Sequence, residues 1–165
     1  MIEDEQRLCR VCFTGHRPEK IHTNTENVKS ALQREIMTAI REGKTSFISG
    51  MSRGVDLWAA EIVLALKETN PDIRLVCAIP FKGFETRWSA AWQHQYTEIL
   101  KKADEVHFIC SGFSYYSYQA RNVWMVNHAS RVIAVWNGEK GGTKNTILYA
   151  EKSGVNVVNV WNVLT

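Results

Sequence analysis

Hydrophobic positions along the chain fall into two rhythms. Short apolar runs stand at residues 8–13, 47–48, 74–79, 106–109, 131–136 and 155–160. Between them, apolar residues recur at i, i+3, i+4 and i+7. One such stripe is Val28, Ala31, Leu32, Ile36, Ala39 and Ile40; the next is Val55, Trp58, Ala59, Ile62, Val63 and Leu66. A third carries Trp88, Ala91, Trp92, Tyr96, Ile99, Leu100 and Ala103. The short runs read as strands and the stripes as helices with one buried face. Residues 119–128 read as a further helix. Thr143 is placed to cap a last one running towards Lys152. Trp58, Trp88 and Trp92 lie on these stripes and are assigned to the core.

Strand and helix therefore alternate. The strands are short and almost uniformly apolar, which argues for burial on both faces. The expected fold is α/β: a doubly wound, mainly parallel sheet flanked by helices on both faces. No linker, repeat or low-complexity tract interrupts the pattern, so residues 1–165 are expected to form a single domain.

In such a sheet the loops after the strands' C-terminal ends form the ligand crevice. This chain concentrates its chemistry there. The first loop holds Thr14, Gly15, His16, Arg17 and Pro18, and the second Ser49, Gly50, Arg53, Gly54 and Asp56. The fourth holds Tyr115, Tyr116, Tyr118, Arg121 and Asn122, and the fifth Gly138, Gly141, Gly142 and Thr143. Glycine turns that open helices suit phosphate, arginine adds a forked donor, and aromatic rings stack on a base. The plainer alternative is a turn at Gly54 that only relieves backbone strain, with Asp56 capping the helix. Gly54→Ala separates the two readings if φ there is ordinary: the plain turn tolerates alanine, whereas a phosphate grip loses affinity with little change in melting temperature.

Composition adds limits. Hydrophobic residues make up 45% and charged residues 22%, as in ordinary globular chains, and the net charge is +3. That balance is too mild to argue by itself for nucleic acid. No run approaches a membrane span, and the opening M-I-E-D-E-Q-R lacks an apolar signal core, so a cytoplasmic protein without membrane contact is expected. Cys9 and Cys12 have C-x-x-C spacing, but no second ligand pair follows, so buried reduced thiols are expected and no metal. His16 stands without a paired acid. Asp56 and Glu61 are five residues apart, so they diverge on a helix. No catalytic residue is assigned.

Taken together, T-G-H-R-P after the first strand, S-G-M-S-R-G-V-D-L-W-A-A-E after the second and P-F after the third resemble the YpsA-like branch of the SLOG superfamily. That superfamily also includes the DNA-processing protein A and Lonely Guy families. Ser49, Gly50, Gly54 and Asp56 are similar to the DNA-processing family's S-G-x-A-x-G-I-D pattern, and Arg121-Asn122 to its R-N pair. Gly142, Thr143 and Thr146 resemble its G-S-x-x-T turn. The resemblance implies a Rossmann-like fold and a nucleotide or nucleotide-derived ligand related to NAD or ADP-ribose, with no settled reaction. Thr146 stands where the Lonely Guy enzymes carry a catalytic glutamate, and Val123 where the DNA-processing family carries arginine.

The leading expectation is a domain that binds or senses a small nucleotide-like ligand, with no certain cofactor. Its site is expected at Gly15, His16, Arg17, Ser49, Gly50, Arg53, Gly54, Asp56, Arg121, Asn122, Gly142 and Thr143. One alternative is a nucleosidase or phosphoribohydrolase-type enzyme using Asp56 or Glu61. Another is a single-stranded nucleic-acid binder that stacks bases on Tyr115, Tyr116 and Tyr118 beside Arg121 and Lys144. Homo-oligomerisation is compatible with each.

Overall fold

The computed structural model, which describes residues 2–164, gathers the apolar runs into one six-stranded parallel sheet. Its strands are β1 (Arg10–Gly15), β2 (Ser46–Ser49), β3 (Arg74–Ile79), β4 (Glu105–Phe108), β5 (Arg131–Val135) and β6 (Asn156–Asn159). Their order is β4-β3-β2-β1-β5-β6, and every neighbouring pair is parallel. The chain thus steps outward from β1 to β4 and then crosses back to lay β5 against the free side of β1. That reversal makes the carboxyl ends of β1 and β5 the switch point, where open α/β sheets bind ligands.

The helices are α1 (Ile2–Leu8), α2 (Thr25–Arg41), α3 (Val55–Lys67), α4 (Ala90–Lys102), α5 (Ser117–Asn127) and α6 (Gly142–Lys152). Alternate strand residues serve opposite faces. Val11, Phe13, Phe47, Leu75, Cys77, Ile79, Ile133 and Val135 join the core packed by α2, α3 and α4. Cys12, Ile48, Val76, Ala78, Val132 and Ala134 join the core packed by α5 and α6. Full burial of side chains such as Leu32, Ile36 and Ile133 stabilises the fold by roughly 1.5–3 kcal/mol each. Cys12 and Cys77 are buried in β1 and β3, and burial raises both thiol pKa values. Cys9 and Cys110 are only half-buried.

Several expectations need correction. Helix α1 was not anticipated, because I-E-D-E-Q-R-L carries no apolar stripe; Arg7 Nε donates to the Ala129 carbonyl at 3.1 Å. Strand β4 is a partly exposed edge, with Val106 39% and Phe108 49% accessible, so burial on both faces does not extend to it. Trp88 lies before α4, whose N-cap is Ser89. Trp58 is buried, whereas Trp88 and Trp92 are half-buried. Thr143 is not a cap: Gly141 holds that position and Thr143 is a buried residue in the first turn of α6. Among the described residues no helix is long and apolar enough to cross a membrane.

Candidate functional site

The carboxyl ends of the central strands open a cleft of about 280 Å³. The loop after β1 contributes Thr14, Gly15, His16, Arg17 and Lys20, and the turn after β2 contributes Ser52, Arg53 and Asp56. Phe84 and Trp88 come from the segment after β3. Tyr118, Arg121, Asn122 and Met125 come from α5, and Gly141, Gly142 and Thr143 from the start of α6.

The helices that follow the strands begin in different ways. Helices α2 and α4 have side-chain caps, Asn24 Oδ1 accepting from Glu26 N at 2.8 Å and Ser89 Oγ from Trp92 N at 3.5 Å. Helices α3 and α6 start at glycines, Gly54 and Gly141, which offer no such acceptor. The first amides of a helix have no intrahelical partner, so those of α6 remain available to a ligand. Lys20 Nζ stands only 3.6 Å from where a Cβ on Gly141 would be. A cation therefore sits against the positive end of a helix dipole.

Two glycines allow close approaches. A Cβ on Gly15 would meet the Val55 side chain at 2.5 Å, so glycine lets the end of β1 touch the start of α3. A Cβ on Gly50 would lie 2.9 Å from both Arg121 Nη1 and Asp56 Oδ2, so glycine lets those two charged groups converge.

Asp56 and Arg121 form the buried polar centre, 6% and 5% accessible. Arg121 Nε donates to Asn122 Oδ1 at 2.9 Å, Nη1 to the Gly50 carbonyl, and Nη2 to Ser52 Oγ at 3.5 Å. Asp56 Oδ2 accepts from Ser52 N at 3.2 Å, while Oδ1 has no hydrogen-bond partner among the described residues. Burial pushes the Asp56 carboxyl up to about 6, against the opposing pull of Arg121 and the Ser52 amide. Burial likewise lowers the Arg121 pKa, opposed by Asp56. Ser49 Oγ donates to the Asp56 carbonyl at 2.8 Å and accepts from Met51 N at 3.1 Å. Met51 holds the left-handed region at φ 64°, a conformation that only a surrounding network keeps in place.

The structure thus sorts the expected residues. Gly15, His16, Arg17, Arg53, Asp56, Arg121, Asn122, Gly142 and Thr143 line the cleft. Ser49, Gly50 and Gly54 do not line it and instead shape the turn after β2. Gly54 has φ +91°, and a Cβ there would meet the His16 carbonyl oxygen at 2.9 Å, so the premise of an ordinary φ fails. His16 Nε2 accepts from Asn137 N at 3.2 Å, tying the first loop to the fifth, and burial lowers its pKa. Arg53 forms a 2.5 Å ion pair with Glu19. Glu61 is exposed on α3 and accepts from Gln95 Nε2 at 2.6 Å, outside the cleft. Thr146 Oγ1 donates to the Gly142 carbonyl at 2.9 Å. Tyr115 and Tyr116 are 93% and 80% accessible and do not line the cleft, whereas Tyr118 does. Lys20, Ser52, Phe84 and Trp88 were missed. Lys20 follows Pro18 closely enough to have been included, but the two aromatics gave no local sign of facing a crevice.

Comparison with known proteins supplies the family. Residues 11–157 match the model of the YspA SLOG family, YpsA. An uncharacterised SPbeta prophage-derived protein, YoqJ, of Bacillus subtilis is 35% identical over 135 residues, spanning 74% of this chain and 78% of its own. The solved structure of DNA processing protein A from Streptococcus pneumoniae superposes with TM-score 0.64 at 18% identity. That superposition covers 93% of this chain and half, 50%, of the other. DNA processing protein A from Helicobacter pylori, described for its single-stranded DNA binding mode, gives 0.63 at 17% identity, covering 99% and 74%. At these identities the two structures establish the Rossmann-like fold that the family resemblance implied.

Proposed function

The chain belongs to the YspA SLOG family, and from that premise we propose that its cleft binds a small phosphate-bearing, nucleotide-like ligand. The observation that carries this reading is the crowding of positive potential at one spot. Lys20 lies against the uncapped start of α6, and Arg17 lines the same cleft; neither makes a salt bridge with a described residue. Two side-chain cations beside a helix N-terminus draw an anion to that spot. The aromatic side chains Phe84, Trp88 and Tyr118 supply a surface for a base at the same cleft. The volume of about 280 Å³ suits a mononucleotide or one end of a larger ligand.

Titration calorimetry with nucleoside 5′-phosphates and inorganic pyrophosphate tests the reading. Binding of a nucleotide should weaken at least about tenfold in Arg17→Ala/Lys20→Ala, a loss in line with one or two charge-assisted contacts. Affinity unchanged in that variant, or no binding of any phosphate compound, rejects it.

A second reading, single-stranded nucleic-acid binding, draws support from Phe113, Tyr115 and Tyr116, which stand exposed in the loop between β4 and α5. A steep fall of oligonucleotide affinity with salt would favour it. Hydrolysis gains less support, because Asp56 is the one carboxylate among the described residues lining the cleft.

A further inference from the structure

The Asp56 carboxylate has one oxygen more than the fold uses. Oδ2 accepts from the Ser52 amide at 3.2 Å, but Oδ1 is buried without a hydrogen-bond partner among the described residues, on a side chain that lines the cleft. Arg121 does not serve it: its hydrogen bonds from Nε, Nη1 and Nη2 go to Asn122, Gly50 and Ser52, and none goes to Oδ1. An ionised carboxylate only accepts, so the missing partner is a donor. It is not a phosphate, which the carboxylate repels.

Strand order places Asp56 along the ligand. Across the sheet edge, β3 is followed by Phe84 and Trp88, β2 by Asp56, β1 by Arg17 and Lys20, and β5 by the start of α6. Asp56 therefore lies between the aromatic end and the cationic end. In a nucleotide laid along that line, the part between base and phosphate is the sugar.

We propose that Asp56 Oδ1 accepts a hydrogen bond from a ribose 2′- or 3′-hydroxyl, so that the cleft selects a free ribonucleotide over a deoxyribonucleotide or a nucleotide inside a DNA strand. The inference rests on the nucleotide reading of the same cleft. A site built around a buried acceptor rejects the analogue that lacks the hydroxyl, because the acceptor is then left bare. Arg121 and the Ser52 amide favour the ionised, accepting form of Asp56, against the opposing effect of burial.

The test uses the whole chain and the four 5′-ribonucleoside monophosphates, each beside its 2′-deoxy and 3′-deoxy counterparts, with inorganic pyrophosphate and an oligodeoxythymidylate as controls. For the best-binding base, removal of one of the two hydroxyls should weaken binding at least about tenfold in the wild type. In Asp56→Ala that ratio should fall towards one. If this variant does not fold, the wild-type comparison decides alone. Deoxynucleotides bound within about twofold of their ribo counterparts overturn the inference while leaving the nucleotide reading intact; an ordered water would then serve Oδ1. Tighter binding of the oligodeoxythymidylate also overturns it. Binding of pyrophosphate alone, or of nothing in the panel, rejects the nucleotide reading and this inference with it.

Discussion

The Arg121 guanidinium donates to the carbonyl oxygen of Gly50, joining α5 to the turn after β2 across 71 residues of chain. The contact exists because Gly50 has no side chain, as a Cβ there would stand 2.9 Å from both Arg121 Nη1 and Asp56 Oδ2. Gly50→Ala is therefore expected to push apart the polar centre. Overpacking of this kind costs about 1–3 kcal/mol. Thermal or denaturant unfolding measures it, and an alanine variant as stable as the wild type contradicts the packing described.

Arg121→Met should be worse. The guanidinium makes the bonds to Gly50, Ser52 and Asn122 and offsets the charge of Asp56. Its removal leaves a buried carboxylate uncompensated, a loss of roughly 3–5 kcal/mol. Because Asp56→Asn removes the stranded charge, the double variant should recover part of that loss. A double-mutant cycle with no coupling between the two positions would refute the electrostatic link.

Stability should also carry the mark of Asp56 in its pH dependence. Burial raises this carboxyl from the ordinary 3.8 to about 6. The folded state thus binds a proton more tightly than the unfolded chain. The contribution is fully present below the unfolded value and is lost as pH rises through about 6. Relative to Asp56→Asn, the ligand-free wild type should lose roughly 2 kcal/mol between about pH 4 and about pH 7. The comparison with the variant removes the opposite trend of Glu19, Asp104 and Glu105, whose pKa values are lowered. Parallel stability curves for the two proteins would contradict the burial of this charge.

Gly54→Ala should lower the melting temperature whatever the ligand. The residue has φ +91°, and the new methyl would stand 2.9 Å from the His16 carbonyl oxygen and from Pro18 Cδ. Left-handed strain and contact together are expected to cost about 1–3 kcal/mol, or several degrees of melting temperature for a chain of this size. A melting temperature within one degree, roughly, of the wild type would show that the turn relaxes freely.

The sequence by itself determined the elements and their outlets. Residues 74–79 form β3 with the boundaries the apolar run marks, and the stripe along α3 faces the core, with Val55, Trp58, Ala59 and Val63 buried and Ile62 and Leu66 packed against them, because burial of alternate or every third and fourth residue is a local property of spacing. It also named Arg17, Arg53, Asp56 and Arg121 among the cleft residues, because charged side chains beside glycine turns stand out in the loops after parallel strands. The tertiary structure alone decided which loops face each other. Strand β5 returns to the side of β1, and only that crossing brings α6 to Lys20 and lets Arg121 close over Gly50. It also set Glu61 outside the cleft and Trp88 within it, and left one oxygen of Asp56 without a partner. Such facts depend on contacts between residues far apart in the chain, and no local periodicity encodes them.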